Sequence, residues 1–323
     1  MLGVIGDIVQ DVVVWQHEGQ QKATDTKSTI LMRRGGSAAN VAAFAGPRYP
    51  TRFIGCVGDD LGGVALRKEL AGHGVDVRLQ VRVPHADENP SDDGTGSMER
   101  DSSDATGTIV LLIDEHGERT MFPSRGANRQ LQTLDPQWLE GLEILHITAY
   151  SFEGGPTAQT VREAVASQHS HGGLVSFDAS SIGLIQEYGV EAFLALMERC
   201  QPDFITANED ECEVLGLAAD GRPGPALARF RGATLLARHG MHPTAVIRDG
   251  RLIASVPVPP VDDVRDLTGA GDAFNAGFLT AYLTNGGDLE RSCHAAHALA
   301  ARVLRSPGAT ETPESDGLDS SAS

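Results

Sequence analysis

The sequence predicts an α/β fold: a doubly wound, mostly parallel sheet flanked by helices, with a small β-sheet set over it as a lid. Three observations predict it. Short runs rich in Val, Ile and Leu alternate with longer amphipathic runs, the rhythm of strand–helix–strand units. Two stretches break that rhythm with strands that no helix separates. The glycine-rich turns fall after predicted strands, at the end of an open α/β sheet where ligands bind.

Strands are expected at Leu2–Ile5, Phe53–Val57, Ile109–Ile113, Ile144–Ile147, Leu174–Phe177, Phe204–Thr206, Thr234–Ala237 and Ala245–Ile247. Helices are expected near Ala38–Ala45, Gly62–Ala71, Thr157–Gln168, Val190–Cys200, Glu209–Leu215 and Pro225–Phe230, with a final pair at Gly271–Leu283 and Leu289–Leu304. The breaks lie at "VQDVVVWQH" and "DTKSTILMRR", and at "TIVLLIDEHGERTMFPS", which reads as a hairpin turning at Glu115–Glu118. They assign the lid to segments 11–34 and 107–124 of one domain spanning residues 1–309.

Composition narrows the function classes. The formal charge of −18 opposes nucleic-acid binding, which relies on clustered Lys and Arg. Much of that charge is local: residues 84–106 carry a net −6 and the tail 310–323 a net −4. Both are poor in apolar residues and read as a flexible acidic insertion and a disordered acidic tail. The four cysteines (Cys56, Cys200, Cys212, Cys293) show no C-x-x-C spacing, so neither a zinc site nor a disulfide framework is expected. No basic leader or long apolar span is visible. A cytoplasmic protein with no membrane partner is the expectation.

Four motifs carry candidate chemistry. In "DLTGAGDAFNAGF", Phe274, Phe278, Ala281 and Tyr282 recur on one helical face, so Gly269, Ala270 and Gly271 form a turn at a helix mouth. First-turn N–H groups at a positive dipole end make an anion site, and a polyphosphate is the obvious guest. Asp272 there is compatible with a cap, and beside a phosphate it can accept a proton from an attacking hydroxyl. In "RRGGSAANVAAFAG", Gly35 and Gly36 let backbone approach a small polar ligand, and Asn40 offers a donor and an acceptor. "GDIVQD" sets Asp7, Val9 and Asp11 on one face, where a carboxylate can accept vicinal hydroxyls. In "TANEDE", Asn208 and Glu211 share a face at a helix start and can organise hydrated Mg²⁺ and a phosphate, or serve as a cap. There is no Gly-Lys pair for a Walker loop, and Phe274 stands where G-x-G-x-x-G needs its last glycine. A dinucleotide-dependent oxidoreductase is thereby disfavoured.

Together these motifs resemble the PfkB, or ribokinase, family of carbohydrate kinases, in the family's order and over nearly the whole chain. "DLTGAGDAFNAGF" is similar to its carboxyl-terminal signature and "RRGGSAANVAAFAG…FIGCVGDDLGG" to its amino-terminal one. The resemblance implies a ribokinase-like α/β domain with a β-sheet lid and ATP-dependent phosphorylation of a hydroxymethyl group on a small sugar. It implies Asp272 as catalytic base and the amides of Gly269, Ala270 and Gly271 as anion hole. Asp11, Gly35, Gly36 and Asn40 match sugar-binding positions. Asn208 and Glu211 match the motif that organises Mg²⁺ and phosphate. Asp266 and Thr268 match positions beside a monovalent cation (K⁺) site, Gly308 the loop closing over it, and His297 a residue near the adenine. "ARHGMHPTAV" keeps Gly240 in the nucleotide run but has Arg238 for a usual Thr and Pro243 for a second Gly; Arg238 is within reach of a phosphate. Val9 stands where ribokinase carries Asn, which argues against ribose. A nucleoside kinase, or a catalytically silent sugar- or nucleotide-sensing relative, are the alternatives, and a homodimer through the lid is the expected assembly if the lids pair.

Overall fold

The computed structural model describes residues 1–83, 103–116 and 118–311. Along the chain the elements are β1 (Leu2–Ile5), β2 (Val9–Gln16), β3 (Ser28–Gly35), α1 (Ser37–Ala45), β4 (Thr51–Gly58), α2 (Leu61–Gly72), β5 (Asp76–Arg82), β6 (Thr108–Ile113) and β7 (Arg119–Ser124). They continue with β8 (Ile144–Thr148), α3 (Gly155–Ser170), β9 (Leu174–Asp178), α4 (Ile182–Tyr188), α5 (Val190–Cys200), β10 (Phe204–Ala207) and α6 (Glu209–Leu215). Then come β11 (Ala218–Ala219), β12 (Arg222–Pro223), β13 (Thr234–His239), β14 (His242–Arg248), β15 (Arg251–Val256), α7 (Ala270–Thr284) and α8 (Leu289–Leu304).

The large sheet runs β15-β14-β13-β10-β9-β8-β1-β4-β5. From β13 to β5 every pairing is parallel, while β14 and β15 close the edge antiparallel. Its central strands are buried along their whole length, as expected where helices cover both faces. Successive side chains point to opposite faces, and two cores result. Ile5, Ile147, Phe177 and Ile205 face the side covered by α3 to α6. Val4, Phe53, Phe204 and Leu236 face the side of α1, α7 and α8. Parallel pairing brings the carboxyl ends of β1, β8, β9 and β10 to one rim, and the candidate motifs follow those ends.

The second sheet is separate, in the order β3-β2-β6-β7. It is the lid that the breaks in the α/β rhythm predict. Asp11, Leu111 and Pro123 alternate with outward residues such as Val12 and Phe122.

Some elements differ from the sequence reading. Pro225–Phe230 forms only a 3₁₀ turn, Pro225–Arg229, because Gly224 opens it and Phe230 leaves helical geometry after barely one turn. The strands β5 and β15 and the short helix α4 were not expected. Most of the acidic segment 84–106 lies outside the described residues, but its end is held by the fold. Asp104 pairs with Arg82 at 3.3 Å. The Thr106 hydroxyl donates to Asp60 Oδ1 at 2.6 Å, and Asp60 is itself the cap of α2. Of the tail 310–323, Glu311 is engaged by Arg48 and Arg302, and residues 312–323 lie outside the described residues. Among the described residues no helix is long and apolar enough to cross a membrane.

Candidate active site

A cleft of about 1020 Å³ lies between the lid and the rim of the main sheet. Asp11, Gly36, Asn40, Asn208, Glu211, Arg238, Gly240, Thr268, Gly269, Ala270, Gly271, Asp272 and His297 all line it. Gly35, Asp266 and Gly308 do not.

Asp272 sits in the first turn of α7 at the centre of the cleft. The turn before it needs glycine at one position, since Gly269 is left-handed (φ 80°) and caps the helix without a side chain. The Ala270 amide bends back onto the Leu267 carbonyl at 3.3 Å, so of the amides of Gly269, Ala270 and Gly271 this one is turned to the chain, and Asp272 brings a further first-turn amide to the helix mouth. Asp272 Oδ1 accepts from the Ser37 hydroxyl (2.6 Å) and Oδ2 from Asn40 Nδ2 (2.8 Å). Both donors stand on the first turn of α1, and the Asn40 side-chain oxygen accepts in turn from buried Arg34. Burial raises the Asp272 carboxyl to about 7, the two hydrogen bonds opposing it and the charges of Asp178 and Asp7 adding to it.

On the lid side, Asp11 projects into the cleft with Oδ1 buried and unpaired among the described residues. Burial and the neighbouring Asp7 charge raise it to about 6, against the pull of Arg34 and Arg125. Gly35 lies behind it: a Cβ there would stand 2.2 Å from Asp11 Oδ1. Its contribution is room for Asp11, whereas Gly36 reaches the cleft wall itself. On the acceptor role that the resemblance implies for Asp11, Gly35→Ala is expected to displace it and raise the KM for the acceptor by roughly tenfold while leaving the KM for ATP unchanged, the loss of about one charge-assisted hydrogen bond. Steady-state kinetics varying each substrate in turn reads this, and equal shifts in both KM values would contradict it.

At the opposite wall Asn208 caps α6 and Glu211 completes a capping box, each side chain accepting from the other's amide at 2.9 and 2.8 Å. The local cap and the cleft position hold together, so the two sequence readings do not compete. Glu211 is raised to about 7 by burial and by the Asp178 carboxylate, with Arg238 opposing. Arg238, at the end of β13, lies 3.4 Å from Asp178 and carries its guanidinium 5.8 Å from the Phe274 ring centre. A Cβ on Gly271 would meet Arg238 Nη1 at 2.4 Å, so this arginine rests on the mouth of α7. Its Nε is buried and unpaired among the described residues.

Farther along, His297 bonds the Thr244 hydroxyl (2.8 Å) beside Phe274, and burial lowers it to about 4, so it is neutral. Val258, Val264 and Leu304 make this end of the cleft apolar.

Sequence reasoning missed several residues at the site. Asp7 was noted only as a neighbour of Asp11; its carboxylate accepts from the amides of Ser37 and Ala38 at 3.0 and 3.1 Å and fixes the entry of α1. Asp178 had a signal, a carboxylate closing the apolar run "LVSFD". Ser37, Arg125 and Tyr150 had none. Arg125 pairs with Glu153 at 2.6 Å, lies 4.8 Å from the Tyr150 ring centre and acts on the Asp11 carboxyl.

A family model described as pfkB family carbohydrate kinase matches residues 1–90 and 94–316. The chain belongs to the pfkB family of carbohydrate kinases. It is thus an ATP-dependent kinase, as the signature motifs implied. Two curated relatives make the family concrete. One is the ATP-dependent ribose-1-phosphate kinase of Halopiger xanaduensis, 31% identical over 310 residues that cover 91% of this chain and 89% of the relative. The other is the fructokinase of Klebsiella pneumoniae, 31% identical over 300 residues, covering 88% and 84%. Among solved structures, the adenosine kinase from Sinorhizobium meliloti superposes with a TM-score of 0.77 at 21% identity, covering 95% of this chain and 94% of that one. The aminoimidazole riboside kinase from Salmonella enterica gives 0.70 at 24%, covering 95% and 94%. These likenesses bear out the ribokinase-like fold with its separate lid sheet.

Proposed function

We propose that this pfkB kinase transfers the terminal phosphoryl group of ATP to the hydroxymethyl group of a small sugar, with Asp272 as the base. The observation that carries the reading is the place of Asp272. It lies where the lid face bearing Asp11 meets the free amides at the mouth of α7, so an acceptor hydroxyl and a phosphate can reach it together. Asp11 holds the sugar hydroxyls from the lid, and Asn40 both bonds Asp272 and lines the acceptor pocket. Ser37 and Asn40 orient the carboxylate; the acceptor's proton passes to it as the new P–O bond forms and the bond to the departing diphosphate breaks. The amides of Gly271 and Asp272, with Arg238, face the charge on the transferred group. The apolar end by His297 and Leu304 suits a purine ring.

The residues present also fit a divalent cation. Glu211 and Asp178 are buried close together with Arg238 as the opposing charge, an arrangement that favours added positive charge. No group of three or more His, Cys, Asp or Glu among the described residues is placed to cage a metal, so hydrated Mg²⁺, held through water and substrate oxygens, suits the site. When bound it neutralises charge on the phosphates.

The apolar lid side chains Ile109, Met121 and Pro123 favour a second reading, a riboside whose base lies against them. The relatives' names span both classes, with ribose-1-phosphate, fructose and adenosine kinases among them. The outer lid face, with Ile30, Met32 and Phe122 exposed, supports the expected pairing of lids between two copies. ATP consumption over a panel of pentoses, ketohexoses, sugar phosphates, keto-deoxy acids and nucleosides tests the function. We expect one class to be turned over well above the others; consumption equal to the acceptor-free rate throughout would refute the kinase reading.

A further inference from the structure

The loop ahead of the phosphate turn is tied to the lid by one arginine. Asp266 Oδ1 accepts from the Thr268 amide (2.9 Å), the Thr268 hydroxyl (2.8 Å) and Arg119 Nη2 (3.0 Å), while Oδ2 accepts from the Gly308 amide (2.9 Å). Arg119 Nη1 also donates to the Thr268 hydroxyl at 3.2 Å. Burial would raise this carboxyl, yet the bonds from Thr268, Gly308 and Arg119 hold it below the ordinary range. Three donors crowd Oδ1, more than its two lone pairs take singly, while Oδ2 is held by the Gly308 amide. The fifth contact occupies the Thr268 hydroxyl, and a guanidinium is fixed within bonding distance of both residues.

These residues do not fit a monovalent cation. An ion seeking Asp266 and Thr268 would displace a guanidinium and meet its charge at close range. Arg119 belongs to lid strand β7, and Thr268 directly precedes the Gly269–Gly271 turn.

We propose that Arg119 is a built-in cation: with the lid down, it takes the place an inorganic monovalent ion would have at Asp266 and Thr268, steadying the turn that receives the phosphate. Arg119 is a positioning residue, since it does not line the cleft and acts through that loop. Lid closure and ordering of the phosphate turn are then one event, and turnover needs no potassium. The inference rests on the reading of this turn as the phosphate site.

The test uses the full chain in tetramethylammonium chloride against KCl at equal ionic strength, with Arg119→Met and Arg119→Lys beside the wild type. Wild-type turnover is expected to change less than about twofold with K⁺. Arg119→Met is expected to lose about tenfold or more in kcat with little change in KM, to recover part of it in K⁺, and to be exceeded by Arg119→Lys without K⁺. A second readout needs no activity: K⁺ should raise the melting midpoint of Arg119→Met and leave the wild type unmoved. A K⁺-specific rise in wild-type turnover or melting would overturn the proposal. So would an Arg119→Met variant that matches the wild type, or one whose loss K⁺ does not relieve. Should no acceptor be phosphorylated at all, the kinase reading falls while the melting comparison still decides the cation question.

Discussion

Asp272→Asn is expected to lower kcat by roughly 10²–10⁴-fold, the range a positioned general base contributes. Binding of ATP and acceptor should survive, because the amide keeps the shape and Ser37 and Asn40 remain beside it. The pH dependence follows from the same group. Burial raises the wild-type carboxyl to about 7, and only its ionised form accepts a proton. The wild-type kcat/KM should therefore fall about tenfold per pH unit below that value and level off above it, while the residual rate of the variant stays flat. Stability runs the other way. A carboxyl raised in the folded state holds a proton that the unfolded chain has released, so this group destabilises the fold as pH climbs from the ordinary 3.8 toward 7. Asp272→Asn should melt about 4–6 °C higher than wild type at pH 8, with the gain disappearing near pH 4. Thermal melts at both pH values check this; near-normal turnover in the variant, or a flat wild-type pH profile, would remove Asp272 from the role of base.

Arg238→Ala is the second large effect. The guanidinium rests on Gly271 at the mouth of α7 and carries an unpaired buried N–H, so it is placed for charge that arrives with the phosphate. Removing one such preorganised donor typically costs roughly 10²–10³-fold in kcat. The KM for the acceptor should hold, since Asp11 and Asn40 lie across the cleft. Arg238→Lys restores charge without the planar fork and should recover only part of the loss. Unchanged turnover in Arg238→Ala would reduce this arginine to a structural partner of Asp178.

What the sequence made legible was what is local. Asn208 and Glu211 are three residues apart, and a capping box needs nothing else to form. The glycine turn and Asp272 are contiguous, so turn chemistry announces them. The alternation of buried runs exposed the α/β sheet, and its interruption exposed the lid. Strands β5 and β15 stayed hidden because they are sheet edges whose half-exposed residues resemble loops. Helix α4 was hidden because its seven residues start without a side-chain cap, whereas the Asn208–Glu211 capping box announced α6 at the same length. The pairings that build the site are long-range: Ser37 meets Asp272 across 235 residues and Arg119 meets Asp266 across 147. No local pattern encodes them. The Arg238 position shows the converse, because a departure from the family's usual residue marked a side chain that the fold places on Gly271 at the mouth of α7.

The central claim is phosphoryl transfer from ATP to a hydroxymethyl oxygen. Proton-coupled ³¹P spectroscopy of the purified product tests it most directly. A phosphomonoester signal split into a triplet by two methylene protons, formed by the wild type and lost with Asp272→Asn, is the predicted result. A doublet from a secondary carbon, or inorganic phosphate as the sole product with every acceptor, would contradict it.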